Sequence, residues 1–241
     1  MQSPFLQASG LLQYIGLFLS GVCHQFPDHS FFLAGVHTPL CARCTGTYLG
    51  ASFGLCYAWL RGRSRASQLP PARVLAMLGA FIAFWAIDGL NSYVHFLTGN
   101  ALLYTPNNLL RLTAGMLNGL SLSALIFPLF NSALWQAPAK ARAVNGLGEL
   151  GGMLLPIIAL EVLLQANVGV LLYPLLLADV LSVLLMLTIV NSMIVMILLR
   201  WENRAEHWRQ VFLPLSLGLV LSVVEVGGIA LLRYMLWSKL L

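Results

Sequence analysis

The stretch CHQFPDHSFFLAGVHTPLCARCTGTYLGASFG, residues 23–54, contains three of the four cysteines and three of the five histidines of the chain. Thiolates and imidazoles are the side chains that bind soft metals and carry out thiol redox chemistry. Outside this stretch the sequence consists mainly of long apolar runs. The stretch therefore predicts a chemical centre in a chain otherwise built from apolar helices. We call residues 23–44 the Cys/His segment.

The composition indicates a membrane protein. Of the 241 residues, 59% are hydrophobic and 9% are charged, and the mean hydropathy is +0.83. Soluble domains contain about 25% charged residues, so a water-soluble fold could not cover this much apolar surface. The net charge of +5 could suggest nucleic-acid binding. Arginines in cytoplasmic loops explain it better in a membrane protein, and we expect no nucleic-acid partner.

Repeated apolar runs of about 20 residues predict transmembrane helices. We predict an all-α, polytopic transmembrane helical bundle with about seven spans. The first and fifth spans are short and could be re-entrant, which would leave six. The predicted spans are 5–22, 44–60, 74–97, 109–130, 150–166, 170–199 and 211–236. Residues 1–130 would form a four-span core with the Cys/His segment, 131–148 a cytoplasmic loop and 149–241 a three-span extension.

Basic residues predict the orientation of the bundle in an inner (cytoplasmic) membrane. Nine of the thirteen lysines and arginines lie in alternate loops, namely Arg61, Arg63, Arg65, Arg73, Lys140, Arg142, Arg200, Arg204 and Arg209. Because basic loops stay in the cytoplasm, the Cys/His segment would lie on the extracytoplasmic side. Arg233 and Lys239 would then lie at an outward C-terminus, against this rule.

The cysteine spacing predicts a metal site. Cys41 and Cys44 form a C-x-x-C pair, and Cys23-His24 lies upstream. Zinc prefers four such ligands in a tetrahedron, often one C-x-x-C knuckle and a second pair from elsewhere. We predict that Cys23, His24, Cys41 and Cys44 bind zinc, and that residues 31–36 form a small hairpin that joins the two halves.

Other interpretations of the same residues stay open. Adjacent residues rarely bind one metal, so His29 or His37 could be the fourth ligand instead of His24. Cys41 and Cys44 could be a redox pair that passes electrons to a quinone, or they could form a disulfide beside incidental histidines. Cys56 lies about 18 Å further along its helix and is expected to be a packing residue.

Polar residues inside the predicted spans indicate a second feature. Asp88 and Asn91 are three residues apart and share one helix face, and Asn108 precedes Arg111 by about one turn. Buried ionisable groups are costly unless they are paired. We therefore predict an Asp88–Arg111 ion pair that lines a polar intramembrane pocket. Asp88 lies about 22 Å along its helix from Arg73, which places this pocket in the half of the membrane nearest the Cys/His segment.

The remaining spans carry three more carboxyl groups and two glycine patterns. Glu161, Asp179 and Glu225 lie in spans five to seven, and we expect neutral carboxyls that are hydrogen-bonded between helices. Small residues repeated every four positions allow two helices to approach closely in a bilayer. They are Gly46, Gly50 and Gly54 in one span and Gly115 and Gly119 in another.

Several of these residues resemble one signature. Its first part is Cys23-His24, Pro27, Ser30-Phe31 and Pro39-Leu40-Cys41-Ala42-Arg43-Cys44-Thr45-Gly46, and its second is Asp88-Gly89, Asn108, Leu110-Arg111, Thr113, Gly115 and Gly119. In this respect residues 20–125 resemble DUF2085, a prokaryotic membrane family whose domain is of unknown function. The family has Arg where this chain has His29 and Gln where it has His37, so the resemblance favours His24 as the ligand. It also implies that the Cys/His segment, Asp88 and Arg111 act as one unit.

These observations lead to one expected function and several alternatives. We expect a membrane protein with an outward zinc site above a pocket in which Asp88, Asn91, Asn108 and Arg111 bind a small anionic or lipid-linked molecule, either to hold it or to transport it. One alternative is a membrane enzyme, either a quinone-linked thiol oxidoreductase or a metal-assisted hydrolase. Another is a structural or assembly factor stabilised by zinc. No phosphate-binding loop, nucleophile elbow or H-E-x-x-H helix is present.

Overall fold

The computed structural model describes residues 10–239, and the side chains of residues 10–236. It is an all-α membrane bundle with two small two-stranded sheets. The helices are α1 (Leu11–Leu19), α2 (Ala42–Leu60), α3 (Ala72–Thr98), α4 (Asn108–Leu134), α5 (Leu147–Gly152), α6 (Leu155–Gln165), α7 (Leu172–Leu199) and α8 (Trp208–Lys239). The strands are β1 (Phe32–Leu33), β2 (Val36–His37), β3 (Ala66–Gln68) and β4 (Ala139–Arg142).

Five helical stretches are long and apolar enough to cross a membrane. They are Ala72–Thr98, Asn108–Leu134, Leu147–Gln165, Gly169–Leu199 and Trp208–Leu236. They correspond to the last five predicted spans, the third of them made from α5 and α6. The predicted span 5–22 contains α1, which is only 9 residues long, and residues 5–9 lie outside the described part. The predicted span 44–60 lies in α2, which is 19 residues long and less apolar. The fold class is confirmed, and within residues 10–239 five of the approximately seven predicted spans meet these criteria.

The glycine patterns predicted from the sequence bring α2 and α4 into close contact. A Cβ atom at Gly46 would overlap the Leu112 carbonyl of α4, and one at Gly50 would overlap the carbonyl of Met116. Conversely, on α4, a Cβ atom at Gly119 would overlap the Thr47 carbonyl of α2. The two backbones can therefore touch only because these positions carry no side chain. This contact fixes the first turn of α2, where the C-x-x-C pair lies, against the first turns of α4.

The ends of the helices follow from local sequence. The side chain of Asn107 caps α4 by accepting a hydrogen bond from the Leu110 N–H group at 2.9 Å. Helix α3 begins after Pro71 and ends at Gly99, whose φ of 72° suits a residue without a side chain. The loop between these caps carries Tyr104 back toward the bundle, where its hydroxyl group contacts Asp88 at 2.8 Å.

The predicted basic loops meet at one end of the bundle, which we call the arginine-rich end (residues 61–71, 135–146 and 200–207). Strand β3 pairs with β4, and Arg63 contacts Glu149 with its two terminal nitrogens, each at 2.7 Å. Arg65 stacks on the Trp135 ring at 3.9 Å. Because α2 runs from Cys41 to this end, the Cys/His segment lies at the opposite end. Cys56 was predicted to be a packing residue, but it is exposed on α2 because it faces outward from the bundle.

Candidate metal centre and adjacent cavity

The predicted hairpin brings the two halves of the Cys/His segment together. Strands β1 and β2 pair in antiparallel register, with Phe32 opposite His37 and Leu33 opposite Val36. The Thr38 N–H group closes the hairpin with a bond of 2.8 Å to the Phe31 carbonyl. The chain then enters α2 at Cys41, which places the C-x-x-C pair beside Cys23.

Three of the four predicted metal ligands converge in the structure. The ligand atoms of Cys23, His24 and Cys41 all lie within 4.8 Å of one another. The Cys44 thiol lies outside this group but close enough to influence the pKa values of Cys23 and Cys41. Tetrahedral zinc–sulfur bonds of about 2.3 Å place ligand sulfur atoms about 3.8 Å apart. Small shifts of these side chains would therefore give zinc coordination geometry.

The protonation states of the group suit a metal. Hydrogen bonding with Cys23 and Cys44 holds the pKa of Cys41 well below its usual range, which favours the thiolate form that binds metals. The bond with Cys41 is also the main reason that the pKa of Cys23 is raised to about 12. Burial lowers the pKa of His24, and it lowers that of His29 to about 4. Both histidines are therefore neutral near pH 7, which is the form that binds metals.

The other two histidines of the segment have different surroundings. His29 lies in a short 3-10 turn (Pro27–His29), and its Nδ1 atom is 3.1 Å from Nε2 of His24. Metal-bound histidines commonly hold a partner on their second ring nitrogen in this way. His37 lies in β2, where its ring packs on Phe32 at 5.0 Å. The structure thus places His29 behind His24 and His37 on the hairpin.

Arg233 of α8 holds the backbone of the Cys23-His24 corner. Its guanidinium group donates hydrogen bonds to the carbonyl oxygens of Ser20 at 2.9 Å, Cys23 at 2.5 Å and His24 at 2.9 Å. Helix α8 approaches this corner closely, because a Cβ atom at Gly21 would overlap the Val226 carbonyl. Sequence reasoning treated Arg233 only as an exception to the charge rule and missed this contact.

The predicted Asp88–Arg111 ion pair is wrong, because Asp88 pairs with Arg43. The Arg43 guanidinium binds Oδ2 of Asp88, with its Nε atom at 3.0 Å, and also contacts Ser92 Oγ at 3.0 Å. Oδ1 of Asp88 accepts a hydrogen bond from the hydroxyl group of Tyr104. The Asp88 carboxylate is fully buried, so both oxygens need these partners. Arg43 lies between Cys41 and Cys44, and only its place inside the C-x-x-C motif could have drawn attention to it.

The three other predicted pocket residues, Asn91, Asn108 and Arg111, contact different partners. Asn91 binds the loop after α3, with Oδ1 accepting from the N–H groups of Leu102 and Leu103, both at 3.0 Å. Asn108 donates to the Ser30 carbonyl at 3.0 Å and accepts from Arg111 at 2.8 Å. Asn91 and Asn108 thus connect the pocket region to the loops around it.

Arg111 is the group that these contacts leave unsatisfied. It is 5% exposed, and among the described residues no carboxylate lies within 4.0 Å of its guanidinium group. Its Nε atom is buried and has no hydrogen-bond partner, although a terminal nitrogen contacts the Asp28 carbonyl at 3.4 Å. A buried guanidinium group without an anion is costly in a membrane protein.

A cavity of about 390 Å³ lies next to the metal-ligand group. Its wall contains His24 and His29 from the Cys/His segment and Arg43 from the first turn of α2. The rest of the cavity wall comes from α3 and Phe26. The lining residues are His24, Phe26, His29, Arg43, Gly89, Ser92, Tyr93 and Phe96. One predicted metal ligand therefore faces a space that is large enough for a ligand.

Comparison with known proteins decides the family. Residues 23–125 match the family described as "Predicted membrane protein (DUF2085)". An uncharacterized protein of Methanothermobacter thermautotrophicus is 30% identical over 104 residues, which are 43% of this chain and 83% of that protein. This chain belongs to the DUF2085 family.

A second relative was found among known proteins. Uncharacterized protein MJ1492 of Methanocaldococcus jannaschii is 28% identical over 115 residues, which are 48% of this chain and 67% of that protein. No solved structure matches this chain. The family match contains the cysteines of the segment, Asp88 and Arg111. Arg233 lies beyond it, so the clamp on the Cys23-His24 corner comes from outside the DUF2085 region.

The three carboxyl groups of the extension are hydrogen-bonded between helices. Glu161 of α6 contacts the hydroxyl group of Thr113 on α4. Oδ2 of Asp179 on α7 is 3.4 Å from Thr45 Oγ1, next to the C-x-x-C pair. Glu225 of α8 accepts a bond of 3.0 Å from Asn191. Asp179 and Glu161 therefore contact the first turns of α2 and α4, at the end that carries the Cys/His segment.

Proposed function

We propose that this protein is an inner-membrane, zinc-binding protein that binds a small anionic or lipid-linked molecule beside its metal centre, either to hold it or to carry it across the membrane. The zinc ligands are Cys23, His24, Cys41 and Cys44. The observation that carries the proposal is the position of His24, which belongs to the converging ligand group and also lines the cavity.

The donor set supports zinc among the common metals. Two or more cysteine sulfurs with one histidine nitrogen form the soft, tetrahedral environment that zinc prefers, whereas magnesium and calcium require oxygen ligands. The group is also buried, with Cys23 and Cys41 both nearly inaccessible. When bound, zinc would fix the hairpin to the start of α2.

The charges around the cavity support an anionic ligand. Arg43 forms part of the wall, and Arg111 lies behind it with no carboxylate partner among the described residues. Arg111 is close enough to His29 to lower its pKa, after the larger effect of burial. Arg111 therefore keeps the anion-binding role expected of it and shares that role with Arg43, while Asp88 holds Arg43 in place of Arg111 and Asn108 holds Arg111.

A second candidate function has one observation in its favour. The thiols of Cys41 and Cys44 are free and three residues apart at the start of α2, and the pKa of Cys41 is lowered. A low-pKa thiol beside a second cysteine is typical of thiol oxidoreductases. In this version the pair would form a disulfide and pass its two electrons to a membrane quinone.

The metal content of purified protein tests the proposal. We expect about one zinc per chain, and we expect Cys41→Ser to lose it, because serine does not replace a thiolate as a zinc ligand. Cys56→Ser is the matched control, since Cys56 is exposed on the same helix and belongs to no ligand group. Protein that contains no zinc but has a reducible Cys41–Cys44 bond and bound quinone would overturn the proposal in favour of the oxidoreductase.

A further inference from the structure

We propose that the ligand of the cavity is a membrane amphiphile, with a phosphate-type head group at the polar end of the cavity and a hydrocarbon chain at its aromatic end. This inference rests on the proposed function and deepens it. It narrows the proposed ligand from an anionic or lipid-linked molecule to a lipid that carries a phosphate group and enters the cavity from the side of the bundle.

The cavity is lined by two chemically different groups of side chains, which meet at Phe26, because its ring packs edge-on against the rings of His24 and His29. His24, His29, Arg43 and Ser92 provide its polar groups, and Phe26, Tyr93 and Phe96 provide aromatic rings. The rings of Phe26 and Phe96 stack with their centroids 5.3 Å apart, which makes the aromatic end a continuous apolar surface. A ligand that matches both ends must itself have a polar and an apolar part.

The aromatic end lies at the outside of the bundle. Tyr93 is 61% exposed and Phe96 is 53% exposed, and both belong to α3, which is long and apolar enough to cross a membrane. Leu90 and Leu97 on the same helix are also exposed. In a membrane these side chains contact lipid rather than water. A hydrocarbon chain can therefore leave the cavity past Tyr93 and Phe96 and remain in the bilayer.

The polar end lies near a buried cation that lacks an anionic partner. Arg43 forms part of the cavity wall, but its guanidinium group is already paired with Asp88. Arg111 lies close to His29 with its Nε atom unpartnered, and among the described residues no carboxylate lies within 4.0 Å of its guanidinium group. Asp28 is also near Arg111, but it is exposed, where solvent screens its charge. The positive charge of Arg111 is therefore available to a ligand.

The histidine pair favours a ligand with several acceptor oxygens. Nε2 of His24 hydrogen-bonds with Nδ1 of His29, which leaves Nδ1 of His24 for the metal. His24 then donates this bond, and His29 carries its own proton on Nε2 as a donor. A phosphate group can accept from His29 and from the Arg43 guanidinium at the same time. A cavity of about 390 Å³ holds such a head group and the first part of its chain.

Two glycines of α3 provide a matched pair of variants. A Cβ atom at Gly89 or at Gly79 would meet no atom within 4 Å, so α3 can accept leucine at either position. Gly89 lines the cavity, whereas Gly79 lies about 15 Å away along the same helix and is not among the lining residues. Gly89→Leu therefore fills the cavity, and Gly79→Leu changes the surface of the helix by the same amount.

Native mass spectrometry of the full chain in a neutral detergent tests the inference. The probes are phosphatidic acid, diacylglycerol, which has the chains without the phosphate, and inorganic phosphate, which has no chain. We expect wild type and Gly79→Leu to bind phosphatidic acid, and we expect Gly89→Leu to bind it at least about tenfold more weakly. We expect diacylglycerol and inorganic phosphate each to bind wild type at least about tenfold more weakly than phosphatidic acid.

Each of the other possible outcomes would contradict a specific part of the proposal. Equal affinity of the two leucine variants for phosphatidic acid would place the lipid outside the cavity. Inorganic phosphate that binds as tightly as phosphatidic acid would make the ligand a free anion, and diacylglycerol that does so would remove the role of the phosphate. The same spectra report zinc by mass. Zinc-free wild type would refute the metal centre separately, whichever probe binds.

Discussion

The two ends of the bundle hold their charged groups in different ways. At the arginine-rich end, Arg63 and Arg61 share Glu149, and Arg65 stacks on Trp135. At the Cys/His end, Arg111 and Asp179 each keep a buried polar atom without a partner, and a cavity lies next to the metal-ligand group. Groups that already have partners stabilise a fold, whereas buried groups that lack one are arranged for something else. The contrast supports the proposal that the Cys/His end binds a ligand, whereas the arginine-rich end stabilises the fold.

Removing the partner of Asp88 tests this contrast most strongly. Arg43→Gln leaves a fully buried carboxylate without its cation, and we expect the free energy of unfolding to fall by about 3–5 kcal/mol. Denaturant unfolding in detergent measures this loss. In the double variant Arg43→Gln, Asp88→Asn both charges are gone, and we expect most of the stability to return. Equal losses in the single and double variants would mean that the ion pair is not the cause.

Arg233→Gln tests whether α8 supports the metal centre. Three carbonyl groups of residues 20–24 lose their common donor, so the Cys23-His24 corner loosens and zinc affinity should fall by about 10–100-fold. Competition with a chromophoric chelator measures the affinity, and Arg233→Lys should recover part of it. Arg209→Gln, at the start of α8 and at the opposite end, is the control. An unchanged zinc affinity in Arg233→Gln would mean that the clamp does not act on the metal.

Arg63→Gln tests the arginine-rich end and should have the smallest effect. Glu149 loses its two bonds to Arg63 but keeps Arg61 at 3.5 Å. We expect a loss of about 1 kcal/mol in the free energy of unfolding, typical of partly exposed ion pairs. Zinc content should not change, because this end is separated from the metal centre by the length of α2. A loss of zinc in Arg63→Gln would remove the distinction between the two ends.

Features that follow from local sequence patterns could be predicted. Contacts that depend on how far a side chain extends across the packed bundle could not. The helical bundle, the hairpin and the glycine contacts follow from local patterns that tertiary packing does not alter. The partner of Asp88 cannot be predicted in this way, because Arg43 in α2 and Arg111 in α4 both lie in the first turn of their helix at the same end of the bundle. Only the packed structure shows that Asn108 and the Asp28 carbonyl hold Arg111, while Arg43 reaches α3.

The role of Arg233 was beyond sequence reasoning for a related reason. Its bond to Cys23 joins residues 210 positions apart, and nothing in the pattern of α8 marks it. The charge rule could register Arg233 only as an exception. The packing prediction for Cys56 was wrong for a different reason. A cysteine inside an apolar helix can face either the bundle or the lipid, and the surrounding sequence does not decide which.

X-ray absorption at the zinc edge of the purified full-length protein tests the central claim, that the Cys/His segment is a metal centre. The ligand set Cys23, His24, Cys41 and Cys44 predicts three sulfur atoms at about 2.3 Å and one nitrogen atom at about 2.0–2.1 Å from the metal. A shell of only nitrogen and oxygen atoms, or protein that binds no zinc with its cysteines reduced, would contradict the account.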